Sequence, residues 1–108
     1  MLHCITSNPI KFAEIKAVVS DIEQVIIDLP ELQEIDSKKI IHAKLIEALR
    51  HIPGEVIVED TSLVLECLHG LPGPLIKWFL QTIGTNGLIE ITEKFGNNRA
   101  VAKTTNGY

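Results

Sequence analysis

The fold is decided by residues 41–61, which read IHAKLIEALRHIPGEVIVEDT. Apolar side chains recur at helical spacing over residues 41–52, and this continuous stripe predicts a helix with one face buried. Pro53 and Gly54 follow it, and these residue types end helices and form turns. Residues 56–58 are all β-branched and predict a short buried strand, after which two acidic residues come at once. A helix that leads directly into a buried strand is typical of a layered α/β fold.

The same alternation of strand and helix extends in both directions from this stretch. Before it, we predict a strand over residues 2–6, a helix over 10–19 and a strand over 25–27. After it, we predict extended chain at 63–65 beyond a polar interruption, a turn at 70–74, helices over 74–80 and 88–95, and the start of a strand at 99–102. We therefore expect a single domain, residues 1–108, in which helices flank a central mixed sheet.

The composition excludes several classes of protein. Hydrophobic residues make up 45% and charged residues 22% of the 108 residues, which is ordinary for a globular domain and argues against disorder or a coiled coil. The net charge of −4 argues against a broad basic face for nucleic acid. We see neither a membrane-spanning run nor a signal peptide, so we expect a cytoplasmic protein without a membrane partner. Cys4 and Cys67 lie in separate apolar stretches, which predicts two reduced, buried thiols.

Polar side chains follow each of the first three predicted strands. Ligands of open α/β sheets bind at such strand ends, where loops and helix N-termini meet. Hydroxyl, amide and lysine groups suit phosphate oxygens, whereas paired carboxylates suit Mg²⁺. The pattern predicts a metal-assisted phosphate site built from three loops. Its members are Thr6, Ser7, Asn8 and Lys11 after the first strand, Asp28 and Glu31 after the second, and Glu59, Asp60 and Thr61 after the third.

Each of these groups also has an ordinary structural interpretation. A Thr-Ser-Asn run before proline is typical of a helix cap, and acidic residues at strand ends are common in turns. Lys44 borders the apolar stripe, where a lysine stem commonly packs while its ammonium reaches solvent. Lys77 fits a solvated helix position beside aromatic core residues. The sequence also lacks the standard glycine-rich phosphate loops, so residue types alone leave both interpretations open.

Three motifs add specific information. Residues 6–14 read TSNPIKFAE, residues 28–33 read DLPELQ, and VEDT at 58–61 precedes GLPGPLIKWF at 70–79. In this order they resemble the motifs of the inosine triphosphate pyrophosphatase family. Ser7 stands where that family commonly has glycine, and Ser62 follows Thr61 where it often has glycine. Both departures keep a small residue.

The resemblance implies hydrolysis of non-standard purine nucleoside triphosphates, such as ITP, dITP and XTP, to the monophosphate and pyrophosphate. It also implies residue roles. Asp60 and Glu14 would act in catalysis, Glu31 and Asp60 would hold Mg²⁺, and the triphosphate would be bound by Thr6, Ser7, Asn8, Lys11, Lys44 and Lys77. Family members are longer, and their further segments help to hold the purine base. We therefore expect this chain to correspond to the N-terminal portion of the family fold.

Two other interpretations stay open. One is a non-catalytic nucleotide-binding or interaction domain that lacks the base pocket, although it would not need the Glu31 and Asp60 pair. The other is a Maf-like nucleotide pyrophosphatase. The sequence of residues 70–79 argues against it. Because the strand that starts near Arg99 would have an unpaired edge, we also expect self-association or a need for the rest of a longer protein, with a homodimer as the simplest arrangement.

Overall fold

The computed structural model describes residues 1–29 and 32–108. Strands and helices alternate from the first strand to the third, after which two strands and two helices follow, with a 3₁₀ turn at Glu66–Leu68. In chain order the elements are β1 (Leu2–Ile5), α1 (Pro9–Val18), β2 (Ile22–Val25), α2 (Ser37–His51), β3 (Glu55–Leu65), β4 (Pro72–Gly73), α3 (Ile76–Thr82), α4 (Gly84–Phe95) and β5 (Ala100–Gly107).

The strands form a mixed sheet, which confirms the predicted α/β class. They pair in the order β2-β1-β3-β4, and β5 pairs with β3. β1 is parallel to β2, with Leu2 opposite Ile22, and parallel to β3, with Leu2 opposite Glu55. β3 and β4 are antiparallel. Parallel neighbours need a crossover connection, and the helices α1 and α2 provide it.

The chain divides into two compact units. The first comprises Met1–Leu32, Lys38–Glu59 and Thr105–Tyr108. The second comprises Gln33–Ser37 and Asp60–Thr104. β3 contributes residues to both, since the division falls between Glu59 and Asp60.

The core of the first unit joins α2 to the parallel strands. Ile41 in α2 and Ile52, which directly follows this helix, are buried, as the apolar stripe predicts. Leu45 packs against the same core. Leu49 departs from the prediction because it is exposed, at the edge of the stripe. The buried cluster consists of Ile5, Ile41, Ala48, Ile52, Val56 and Val58.

The second unit contains helices α3 and α4, the short β4 and parts of β3 and β5. Leu88 of α4 is buried, whereas α3 has no buried residue. α4 ends at Gly96, whose φ of 65° lies in the left-handed region that glycine adopts without strain. Both helices differ from their predicted bounds. α3 begins at Ile76, after Pro74, and α4 begins at Gly84 rather than at residue 88.

The second strand lies earlier in the chain than predicted. The β-branched run at residues 25–27 predicts a strand there, but β2 spans Ile22–Val25, and Ile26 is exposed. The cause is the pairing partner. β1 has four residues, and its register places Leu2–Ile5 opposite Ile22–Val25, so the ladder ends where β1 ends. Propensity alone carries no information about the length of a partner strand.

The third strand is longer than predicted. It runs without a break through the polar residues 59–62, which were expected to form a turn at a strand end. Val58, Asp60 and Ser62 are buried, while Glu59 and Thr61 between them are only partly buried. This is the two-residue period of a pleated strand, in which neighbouring side chains point to opposite faces. The two adjacent acids Glu59 and Asp60 therefore belong to opposite rows of β3.

The cysteines differ in burial, which corrects one of the two predictions made for them. Both are free thiols, and Cys4 is buried in β1 as expected. Cys67 is only half-buried, because it lies in the 3₁₀ turn and not in a strand.

Gly107 yields a testable prediction for packing in the first unit. It is buried on β5, and a Cβ added there would overlap Cγ2 of Ile41 and approach Cγ2 of Val58. Overpacking a filled core costs free energy. We expect Gly107→Ala to lower the free energy of unfolding by about 1–3 kcal/mol in denaturant titrations.

The exposed neighbour provides the control for this substitution. Asn106→Ala on the same strand should leave stability almost unchanged. In an Ile41→Ala background, which removes the overlapping methyl group, Gly107→Ala should cost clearly less than it does in the wild type. Equal losses in both backgrounds would show that Gly107 is not limited by contact with Ile41.

Candidate functional site

The turn between β1 and α1 is shaped by its own polar side chains. Asn8 caps α1, because its Oδ1 accepts hydrogen bonds from the backbone N–H of Ile10 at 3.0 Å and of Lys11 at 3.3 Å. Oγ1 of Thr6 accepts from the backbone N–H of Asn8 at 3.1 Å. Ser7 is exposed between them. The helix-cap interpretation of this run is confirmed, and two backbone donors at the start of α1 are engaged by Asn8.

Strand β2 holds the same turn from the other side. The backbone N–H of Thr6 donates to the carbonyl of Val25 at 3.2 Å, and Nε2 of Gln24 donates to the carbonyl of Thr6 at 2.9 Å. Both the backbone N–H and the backbone carbonyl of Thr6 are therefore hydrogen-bonded. A turn fixed in this way presents Ser7 and Asn8 from a defined backbone.

Lys11 connects this turn to β3. Its Nζ donates to both carboxylate oxygens of Glu59, at 3.0 and 2.9 Å. The Glu59 side chain is 13% exposed and that of Lys11 is 33% exposed, so the pair is partly shielded from solvent. Hydrogen bonds between ionised groups are stronger than neutral ones, and this contact fixes the direction of the Lys11 side chain.

Lys44 reaches the same residue from α2. Its Nζ donates to the backbone carbonyl of Glu59 at 3.1 Å. Two of the predicted phosphate-binding lysines, from two different helices, are therefore brought together at one position of β3. In the sequence, Glu59 belongs to the polar residues after the third predicted strand, and no separate role was predicted for it. Its signal was an acidic residue directly after an apolar strand, inside the third motif.

The cluster brings two positively charged side chains to one position of β3. Among the described residues, the ammonium of Lys11 meets the carboxylate of Glu59 and the ammonium of Lys44 meets its backbone carbonyl, while the chain as a whole has a net charge of −4. Lysine ammonium groups can attract a small anion even where the protein as a whole is acidic. Lysine is a point charge that serves phosphate groups well. The arrangement is chemically suited to an anion with several phosphate oxygens.

Cys4 lies in the same unit but is unsuited to nucleophilic catalysis. Burial raises the pKa of the Cys4 thiol, and the negative charge of Glu59 raises it further. Because the thiolate is the reactive form, a raised pKa keeps the sulfur unreactive near neutral pH.

Asp60 occupies a different environment from Glu59. It belongs to the second unit and is only 8% exposed, in the same buried row of β3 as Ser62. Oγ of Ser62 lies 3.4 Å from Oγ of Ser37. Glu31, the other predicted metal ligand, lies outside the described residues. Within residues 1–29 and 32–108, no three His, Cys, Asp or Glu side chains cluster as a metal site would require.

The remaining predicted residues lie on helix surfaces. Lys77 is exposed on α3, with its Nζ 5.4 Å from the ring centroid of Trp78. Glu14 is exposed on α1, one turn after Lys11. The roles of Lys77 in binding and of Glu14 and Asp60 in catalysis stay predictions.

Comparison with known proteins identifies the family. The Ham1 family profile matches residues 2–108. The chain belongs to the Ham1 family. It is 41% identical over 101 residues to inosine triphosphate pyrophosphatase 2 of Trypanosoma cruzi, covering 91% of this chain and 52% of that protein. It is 37% identical over 107 residues to the inosine triphosphate pyrophosphatase of Schizosaccharomyces pombe, covering 96% and 56%. The chain spans about half the length of these curated relatives.

Solved structures share the fold of this Ham1-family chain. The Staphylococcus aureus Ham1 protein superposes with a TM-score of 0.67 at 19% identity, covering 99% of this chain and 69% of that one. A nucleoside-triphosphatase described as a dITP/XTP pyrophosphatase from Mycobacterium abscessus gives 0.64 at 18% identity, covering 99% and 71%. The family resemblance seen in the three motifs is confirmed.

The geometry of Lys11 generates a binding prediction. If its ammonium contacts phosphate, Lys11→Met should weaken the binding of inorganic triphosphate by about 1.5–3 kcal/mol, which is about ten- to a hundredfold in Kd. Isothermal titration calorimetry measures this directly. Methionine keeps much of the aliphatic stem, so the change mainly removes charge.

Lys16 supplies the matched control on the same helix. Its ammonium lies 5.7 Å from the Phe12 ring centroid, and its side chain is exposed. Lys16→Met removes the same charge and should change the Kd less than about threefold. If both variants bound triphosphate as the wild type does, Lys11 would not be a phosphate ligand.

Proposed function

We propose that the protein hydrolyses non-standard purine nucleoside triphosphates, such as ITP, dITP and XTP, to the nucleoside monophosphate and pyrophosphate. This activity would remove damaged nucleotides from the pool. The observation that carries the proposal is the convergence of Lys11 and Lys44 on Glu59, beside the turn that Asn8 caps. The names of the relatives, inosine triphosphate pyrophosphatase and dITP/XTP pyrophosphatase, support the substrate class.

The proposed binding roles follow from the chemistry of each group. The ammonium groups of Lys11 and Lys44 would neutralise phosphate charge, and the hydroxyls of Thr6 and Ser7 and the amide of Asn8 would donate to phosphate oxygens. Lys77 completes the proposed set on the basis of the family resemblance. Positioning and charge neutralisation provide most of the catalysis in phosphoryl transfer, so a set of fixed donors suits the reaction.

Magnesium is the proposed cofactor. Mg²⁺ prefers hard oxygen ligands, and it is usually bound by one or two carboxylates together with phosphate oxygens. Asp60 fits this requirement as a buried carboxylate, and Glu31 is the second proposed ligand. When bound, the ion would neutralise phosphate charge and polarise the attacked phosphorus. We further propose that Asp60 orients or deprotonates the attacking water and that Glu14 assists.

A product assay tests the reaction. The protein is incubated with ITP, XTP, dUTP or ATP in the presence of Mg²⁺, and pyrophosphate and phosphate are measured separately. Pyrophosphate from ITP or XTP, with little from ATP, is the expected result. Tight binding of ITP without any product would favour the non-catalytic interpretation. The family match already favours this reaction over a Maf-like activity on other bases.

Asp60 provides the sharpest test of the catalytic proposal. Asp60→Asn keeps the shape of the buried side chain but removes its charge and its ability to accept a proton. We expect kcat for ITP to fall by about a hundredfold or more, while the melting temperature stays close to that of the wild type. Asp21→Asn, at an exposed position, is the control and should keep full activity. Near wild-type turnover of Asp60→Asn at saturating Mg²⁺ would remove Asp60 from the mechanism.

We also propose a cytoplasmic homodimer that binds neither nucleic acid nor membranes. The net charge of −4 supports the absence of a nucleic-acid partner. Over residues 1–29 and 32–108, none of the helices is long and apolar enough to cross a bilayer. Several large apolar side chains of the second unit are exposed, which is typical of surfaces that bind another protein. They include Trp78, Leu80, Ile83, Ile89 and Phe95.

Self-association is measurable by sedimentation over a wide concentration range. We expect the sedimentation coefficient to rise with concentration toward that of a dimer. Phe95→Ser should shift this transition to higher concentration because it removes exposed apolar area, whereas Lys94→Ser on the adjacent exposed position should not. A folded monomer at every concentration would rule out the homodimer.

A further inference from the structure

A groove in the second unit contains none of the residues proposed for catalysis or phosphate binding. It has a volume of about 660 Å³ and is bordered by the end of β3, the 3₁₀ turn and the start of β5. This volume lies within the range of small-molecule sites in proteins. The wall combines apolar with charged side chains. They include Val64, Glu66, His69, Arg99, Ala100 and Val101.

Two oppositely charged residues of the groove are neighbours through the backbone but do not pair through their side chains. The backbone N–H of Glu66 donates to the carbonyl of Arg99 at 3.0 Å. The Glu66 carboxylate accepts instead from Nδ2 of Asn97, at 3.3 Å. In the part of the chain that the structure describes, the Arg99 guanidinium has neither an ion-pair nor a hydrogen-bond partner. The groove therefore offers a ligand one positive and one negative group.

The imidazole of His69 is carried by an uncommon backbone conformation. His69 has a φ of 53°, in the left-handed region that residues other than glycine seldom adopt. The turn is fixed, because the N–H of His69 donates to the carbonyl of Glu66 and the N–H of Gly70 donates to that of Leu65, both at 3.0 Å. Non-glycine residues in such conformations cluster at ligand sites. This observation points to a binding role for the His69 side chain.

We propose that the groove binds a small zwitterion, namely an α-amino acid with an apolar side chain. Its carboxylate pairs with the guanidinium of Arg99, whose parallel N–H groups match the two oxygens of a carboxylate. Its ammonium donates to the carboxylate of Glu66. The imidazole of His69 carries at least one N–H in either protonation state, and this group donates to the ligand carboxylate.

The apolar part of the wall determines which kind of zwitterion fits. Val64, Ala100 and Val101 supply apolar surface, and Val101 is 60% exposed, so an apolar ligand side chain gains by covering it. A phosphate group fits less well, because its second negative charge would lie beside the Glu66 carboxylate. A wholly apolar molecule would shield both charged groups from water without pairing them, which costs free energy.

NMR titration of the full chain tests the proposal, with L-leucine as the probe. We expect saturable shifts in the backbone amide signals of Gly70, Ala100 and Val101, with a Kd in the millimolar range. Three analogues, each without one of the matched groups, are titrated in parallel. Isocaproate lacks the ammonium, isoamylamine lacks the carboxylate, and glycine lacks the apolar side chain. Each should bind about fivefold or more weakly than leucine.

Matched variants assign each ligand group to its partner. Arg99→Met should weaken leucine binding about fivefold or more without weakening isoamylamine binding, because that amine has no carboxylate. Glu66→Gln should weaken leucine binding without weakening isocaproate binding. His69→Gly suits the left-handed turn and should still weaken leucine binding about twofold or more. Lys103→Met removes a positive charge from an exposed position on the same strand and should leave the leucine Kd unchanged.

Several outcomes would overturn the inference. They are shifts that do not saturate or that lie away from the groove, leucine binding no tighter than that of every analogue, and wild-type leucine binding by Arg99→Met. An equal loss of binding in Lys103→Met would also overturn it, as a general effect of charge. If Arg99→Met does not fold, Arg99→Gln serves the same test. All these results leave the proposed reaction standing, because the groove contains none of the residues proposed for it.

Discussion

The pleat of β3 decides which side chains of this chain can meet. Successive residues of a strand point to opposite faces, and β3 keeps that alternation through both apolar and charged positions. Val56 and Val58 occupy the buried row and pack against α2. Glu59 occupies the other row, where Lys11 and Lys44 reach it. One element therefore supplies both the core of the first unit and the acidic centre of the lysine cluster.

Helix α1 is held in place by polar contacts as well as by partly buried side chains. None of its residues is buried, although it carries several apolar side chains. Two polar contacts that hold it are the Asn8 cap at its start and the ion pair between Lys11 and Glu59. The side chain that we propose to bind phosphate therefore also ties its helix to β3.

The secondary structure was predicted most accurately where the apolar residues keep one clear periodicity over many positions. The stripe over residues 41–52 gave α2 within a few residues, and the Thr-Ser-Asn-Pro run gave both the cap and the start of α1. β2 was misplaced because the length of β1, and not the local propensity, sets where the ladder ends. β3 was cut short because polar residues suggest a turn, whereas pairing with β4 continues the strand as far as Val64.

The candidate site was predicted in part for the same reason. Lys11 and Lys44 were identified, and the structure brings them to one residue. The sequence around Glu59 does not show that Glu59 is this residue. Two adjacent acids lie on opposite faces only if the strand continues through both of them, and the strand was predicted to end before them. Glu14 and Lys77 are exposed on helices, where a surface charge and a ligand contact look alike in sequence.

The adjacency of Glu59 and Asp60 on a pleated strand also constrains how this part of the chain can vary in length. Inserting or deleting one residue just before them, with the rest of β3 kept in register, would move each carboxylate to the opposite face. The buried acid would become the one facing the lysines, and the acid that holds Lys11 would be forced into the buried row. A bulge would be needed to restore the original order. In β3, therefore, the spacing of the residues itself carries chemical meaning.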